Sequence, residues 1–134
     1  MGATLAFLAG GAAAAPAFGT RGTSWWPAGP IDDLADDEPT PVTIRVTRED
    51  GYSQVVDRQV VFLVKTGPSQ VTALSSTCTH LGCRVSWDPS AHVLKCPCHG
   101  GVFDRTGAVT AGPPPGPLAT FETRLEGNQV LVQL

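Results

Sequence analysis

Val42-Thr43-Ile44-Arg45-Val46 alternates apolar and polar side chains, the two-residue period of a strand with one buried face. Arg58 to Val64 (RQVVFLV) is a longer apolar run, closed by the turn pair Gly67-Pro68, and Val71-Thr72-Ala73-Leu74 follows it. Near the C-terminus, Ala119 to Leu125 and Gln129 to Leu134 flank Glu126-Gly127-Asn128 and read as a β-hairpin. From Pro41 onward the pattern predicts short antiparallel strands. No internal repeat is present.

The first residues follow another rule. Met1 to Phe18 carries no charge, and Arg21 is the first ionisable side chain. A membrane helix needs about 20 apolar residues; this run is just short of that and is broken by Pro16. A signal peptide would have a positive n-region, which is missing. A soluble core helix would need burial all round. The reading preferred here is the outer part of a membrane anchor, residues 1–18, whose beginning lies outside this chain. Its Gly and Ala residues suit close helix packing in lipid, and Trp25-Trp26 falls where an interfacial aromatic belt would sit, with core packing as the alternative. Gly19 to Pro41 holds four prolines and the acidic group Asp32, Asp33, Asp36, Asp37 and Glu38. It reads as a flexible tether, residues 19–41, with a solvated acidic face. Residues 42–134 then form the globular head.

Composition narrows the class. A chain of 134 residues is about one domain. Its 15 Gly and 12 Pro work against long helices. Twelve acidic against nine basic residues give a net charge of −3, and no stretch concentrates Lys or Arg, which excludes a nucleic-acid footprint.

Chemistry concentrates in two short stretches. Cys78-Thr79-His80-Leu81-Gly82-Cys83 and Cys96-Pro97-Cys98-His99-Gly100-Gly101 each hold two cysteines and one histidine among turn-forming residues. Two such loops side by side on a β scaffold suit a metal site. Zinc is one candidate, although the Cys–His spacing is atypical for it. Two plain disulfides are another, but they leave His80 and His99 unexplained. A cysteine protease needs one nucleophile and a distant histidine, not two interleaved sets.

The motifs C-T-H-L-G-C and C-P-C-H-G, at Cys78 to Cys83 and Cys96 to Gly100, closely resemble those of the Rieske iron–sulfur family. The resemblance extends over about Val42 to Leu134 and includes the proline stretch Gly112 to Pro115. It implies a mainly β fold: a Rieske-like antiparallel β-sandwich with a small cluster-binding subdomain at about residues 76–117. It also implies a [2Fe–2S] cluster held by Cys78, His80, Cys96 and His99, with cysteines on one iron and histidines on the other. Cys83 and Cys98 would form a disulfide joining the two loops.

The resemblance further implies function. Neutral imidazoles raise the cluster potential, and each keeps a ring nitrogen that can gain or lose a proton, so His80 and His99 are the expected catalytic groups at a quinol. The quinol-oxidising cytochrome bc and bf members, of respiratory or photosynthetic chains, carry the extra disulfide, whereas Rieske ferredoxins and ring-hydroxylating oxygenases generally lack it. The expected partners are therefore cytochrome b, which builds most of the quinol site, a c-type cytochrome acceptor, and the membrane. Disulfides persist in oxidising surroundings, which places the head on the periplasmic, positive side. The alternatives are the small Rieske subunit of a periplasmic oxidoreductase such as arsenite oxidase, or a soluble Rieske ferredoxin.

Several neighbours carry narrower expectations. Leu81 is expected exposed beside the quinol pocket, and Pro113 and Pro114 in the loop that covers the cluster. Gly82, Gly100 and Gly101 are expected to permit positive φ or close backbone approach. Trp87 reads as core and His92 as surface. High-potential relatives have Ser and Tyr where this chain has Gly101 and Phe103. Neither side chain can supply the hydroxyl donor, which implies a low potential and menaquinol as the donor.

Overall fold

The computed structural model describes residues 23–134. The apolar segment at residues 1–18 and the first part of the tether lie outside the described residues. Among the described residues, no helix is long and apolar enough to cross a membrane.

Among the described residues, eleven strands form three antiparallel sheets. β1 (Trp25–Pro30), β11 (Gln129–Gln133) and β10 (Thr123–Glu126) form the first, in that order. β2 (Thr40–Asp50), β3 (Ser53–Gly67), β4 (Gln70–Ser75) and β9 (Thr120–Phe121) form the second. The third holds β5 (Ser86–Asp88), β6 (Val93–Lys95), β7 (Val102–Phe103) and β8 (Val109–Ala111).

β3 organises the molecule because its apolar run feeds both faces. Val61 and Leu63 point into a first core with Ile44, Val46, Ala73, Val130 and Val132. Phe62 and Val64, offset by one residue, point into a second core with Leu74, Leu94, Phe103 and Leu118. A period of two along a central strand divides consecutive side chains between the layers. The predicted alternation in Val42 to Val46 appears in β2, where Ile44 and Val46 are buried and Thr43 and Arg45 exposed. Each fully buried aliphatic side chain contributes roughly 1.5–3 kcal/mol.

The tether reading is corrected over its described part. Trp25 to Pro30 pairs with β11, from Trp25↔Gln133 to Pro30↔Gln129. A 3-10 turn at Ile31–Asp33 follows, and Ile31 and Leu34 are buried in the first core. Ala28, Ile31 and Leu34 are spaced by three residues, which is not the two-residue period of a strand, and the prolines hid a segment that folds by docking. The tryptophans follow the core-packing alternative: Trp26 packs on the first core, and the Arg124 guanidinium lies 4.4 Å from the Trp25 ring centroid.

Two strand expectations change in detail. The hairpin forms, with Glu126↔Gln129 flanking Gly127-Asn128. Its predicted first strand divides, however: Thr120 and Phe121 pair with β4, and Thr123 onward pairs with β11. The β2–β3 hairpin also runs past the apolar pattern to a two-residue turn at Gly51-Tyr52. Its outer half from Thr47 to Arg58 is exposed on both faces, so it carries no periodicity to read.

Candidate metal centre

The first motif loop connects β4 of the second sheet to β5 of the third, the second connects β6 to β7 within the third, and the two share one backbone design. In the first, the Cys78 N–H donates to the Cys83 carbonyl at 2.7 Å; in the second, the Cys96 N–H donates to the Gly101 carbonyl at 2.8 Å. Each bond closes a loop over five residues, and each loop places a glycine in the left-handed region just before its closing residue. Gly82 has φ 76° and Gly100 φ 73°, a conformation that costs a residue with Cβ about 1 kcal/mol or more. The spacing C-x-x-x-G-x is thus the sequence record of two matching cradles.

Cys78 and Cys96 are buried free thiols within the second core. Burial pushes the Cys78 thiol above its ordinary value; the backbone N–H of His80 opposes the rise, the adjacent Cys96 thiol adds to it, and the Leu81 N–H also opposes it. Those N–H donors suit a sulfur that carries negative charge, and a cation beside it reverses the cost of burial. The His80 and His99 rings meet edge to face with centroids 4.9 Å apart. His80 Nδ1 is buried and makes no hydrogen bond, an expensive arrangement unless the nitrogen serves as a ligand. Two thiols, two imidazoles and an orphaned ring nitrogen fit a diiron cluster. They do not fit two structural disulfides.

One disulfide is present, Cys83–Cys98, with S–S 2.05 Å. It joins one loop to the other, as the family resemblance implied. Leu81 is 67% exposed at the tip of the first loop, beside His80. Trp87 packs against the second core, and His92 is exposed, 3.9 Å from a Glu38 carboxylate oxygen.

The proline stretch lies over both loops. Pro114 is buried and Pro113 exposed. Gly101 is required by contact rather than by φ, because a Cβ there would stand 2.7 Å from Pro114 Cγ. Gly112 is required twice over: its φ is 86°, and a Cβ would stand 2.6 Å from the Gly100 carbonyl oxygen. On the other side the Thr79 hydroxyl donates to the Gly116 carbonyl at 2.7 Å. Thr79 and Gly112 escaped the sequence reading as fixing groups. Their only signal was position, one inside the first motif and the other at the head of the prolines.

Comparison with known proteins agrees with this geometry. The sequence profile of the Rieske [2Fe-2S] domain matches residues 24–122. The cytochrome b6-f complex iron-sulfur subunit of Chlorobaculum tepidum is 40% identical over 74 residues, covering 55% of this chain and 40% of that protein. This chain spans less than half the length of the curated relatives it matches. Among solved structures, the plasma membrane Rieske protein PetC3 from Synechocystis PCC 6803 is 33% identical with a TM-score of 0.58, over 81% of this chain and 98% of that one. A chain of a hyperthermophilic respiratory Complex III is 29% identical with a TM-score of 0.50, over 77% and 71% respectively. A profile that spans well over half of the chain, joined to this donor set, makes the chain a member of the Rieske [2Fe–2S] family, with that family's cluster as its cofactor.

Proposed function

We propose that Cys78, His80, Cys96 and His99 hold the cluster, and that the chain is the electron-transfer head of a quinol-oxidising complex of the cytochrome bc or b6f type. The observation that carries this reading is the pairing of two buried thiols with two abutting imidazoles across loops joined by Cys83–Cys98. When bound, the cluster accepts one electron at a potential raised by its neutral ligands. His99, exposed, or His80, half-buried, presents a ring nitrogen to a quinol hydroxyl and takes up its proton. The exposed Leu81 adds an apolar wall at the same tip. The rest of the quinol site belongs to cytochrome b, and the electron passes to a c-type cytochrome. In this reading residues 1–18 serve as the membrane anchor, and the disulfide supports a head on the periplasmic side, since such bonds persist in oxidising surroundings.

Menaquinol is the proposed donor. Gly101 carries no hydroxyl and Phe103 is fully buried without one, so neither side chain stabilises the reduced state by a hydrogen bond. The midpoint should fall in the lower part of the Rieske range of roughly −150 to +300 mV. Protein-film voltammetry tests this, and Phe103→Tyr should move the midpoint upward. Gly101→Ser should be paired with Pro114→Ala, since Pro114 occupies the space of a Cβ at residue 101. An already high wild-type midpoint would sink the menaquinol assignment. Electron paramagnetic resonance of the reduced protein should give a mean g-value below that of all-cysteine clusters, and the complex should copurify with b- and c-type haem.

A further inference from the structure

The disulfide has a third sulfur beside it. The Sγ atoms of Cys83, Cys96 and Cys98 all lie within 4.8 Å of one another, and Cys96 is a free thiol. A thiolate within reach of a disulfide is the reactant pair for exchange, in which the attacking sulfur bonds to one partner and releases the other. We propose that in the chain without its cluster Cys96 attacks Cys83, converting Cys83–Cys98 to Cys83–Cys96, so that cluster loading has to precede this exchange.

The step balances without an added oxidant. The Cys96 thiolate forms a bond to Cys83 Sγ, the Cys83–Cys98 bond breaks, and Cys98 leaves as a thiolate that takes up the proton Cys96 gave up. Total thiols and disulfides are unchanged. Attack on Cys83 is preferred to attack on Cys98 for two reasons. The leaving sulfur is then that of Cys98, which is exposed and can be hydrated as an anion. Attack on Cys98 would instead close the short ring Cys96-Pro97-Cys98, whose central φ is fixed by proline. Chain entropy offers no resistance: the present disulfide spans 15 residues, and a Cys83–Cys96 bond spans two fewer.

The exchange rests on sulfur geometry alone. Its consequence rests on the ligand reading above, because Cys96 would be lost to the cluster. Bound to iron, Cys96 is not available to attack, and the native disulfide is safe. The order that follows is cluster insertion into the reduced or newly oxidised chain, and only then prolonged life in an oxidising compartment.

The test uses the full chain, stripped of iron by chelator without added thiol and held at mildly alkaline pH. Samples are acid-quenched, alkylated and digested with trypsin, which separates Cys83 from the peptide Cys96–Arg105, and the label is placed by tandem mass spectrometry. The expected result is a shift of most of the alkyl label from Cys96 to Cys98 over hours, with Cys78 labelled throughout. Cys78→Ser should still exchange and Cys96→Ser should not. A label that stays on Cys96 overturns the proposal, as does exchange that stops in Cys78→Ser. Reconstitution with iron and sulfide separates the two readings. Exchanged chain should load several-fold less cluster than chain that has not exchanged. Full loading with Cys83–Cys96 intact would leave the exchange standing and remove Cys96 from the ligand set.

Discussion

The two cores on either side of β3 are built by different means. The first is wholly aliphatic at its centre and lies between strands with long registers, such as the pairing of β2 with β3 from Thr40↔Leu63 to Asp50↔Ser53. The second includes Cys78 and Cys96 and lies against strands of two or three residues. Strands that short cannot hold a sheet by ladder hydrogen bonds alone. Other devices replace length: the Cys83–Cys98 bond, the contact of Gly101 with Pro114, and the Thr79–Gly116 hydrogen bond. One core is secured by repetition and the other by single contacts. Point changes should therefore cost stability alone in the first and cluster retention as well in the second.

The sharpest way to break that contrast is to empty a cavity on each side. Phe103 and Leu63 are both fully buried, one in each core. Phe103→Ala should cost about 3–5 kcal/mol and Leu63→Ala about 2–5 kcal/mol in thermal or denaturant unfolding. The distinguishing readout is visible circular dichroism of the cluster. Phe103→Ala should lose it well before global unfolding, because Phe103 and Cys96 share the second core. Leu63→Ala should keep it until the sheets melt. Equal cluster retention in the two variants would mean that the cores are mechanically one.

Replacing Cys83 and Cys98 together by Ser should cost about 2–5 kcal/mol. The loss should fall on the second core, seen as earlier cluster release with little change in far-UV signal. Unchanged cluster retention would show that the proline stretch alone holds the loops.

This contrast also explains what the sequence disclosed. The first core was legible where one face is buried, as in Val42 to Val46, because period two reports that directly. The paired cradles were legible as motifs, since Cys78, His80, Cys96 and His99 are chemically rare and closely spaced. β1 was not legible. Its proline and glycine content reads as a linker, and only the pairing of Trp25 to Pro30 with β11, remote in sequence, makes it a strand. The short strands β5 to β8 were equally hidden. A strand of two residues has no period, and Val102 and Phe103 are fixed by neighbours rather than by pattern.

Thr79→Val is a smaller and more specific probe. It keeps the shape of the side chain but removes the donor to Gly116, at a cost of roughly 1 kcal/mol. The loop that covers the cradles would then be held from the Gly101 side only. Amide exchange in residues 111–117 should quicken while β2 to β4 stay protected. Uniform quickening across the chain would contradict a local role.

The smallest expected effect lies at Asp104, in the turn between β7 and β8. Burial raises the pKa of this carboxyl, but hydrogen bonds outweigh that effect and leave it below its ordinary value. Asp104 Oδ1 accepts from the Thr106 hydroxyl at 2.6 Å, the Thr106 N–H at 2.8 Å and the Ala108 N–H at 3.1 Å. The turn it holds supports the second core, since the Leu118 N–H donates to the Gly107 carbonyl at 2.9 Å. A carboxyl whose folded pKa is depressed gives stability that is complete above its unfolded value of about 3.9 and is lost as pH falls through the folded value. Asp104→Asn should therefore lower the melting temperature at neutral pH by less than Thr79→Val does, and the difference from wild type should shrink as the solution is acidified below about pH 4. Paired melting curves at neutral and acid pH decide it. A deficit that stays constant with pH would mean that the side chain acts through shape and not through charge, and that this turn needs no ionised group to stand.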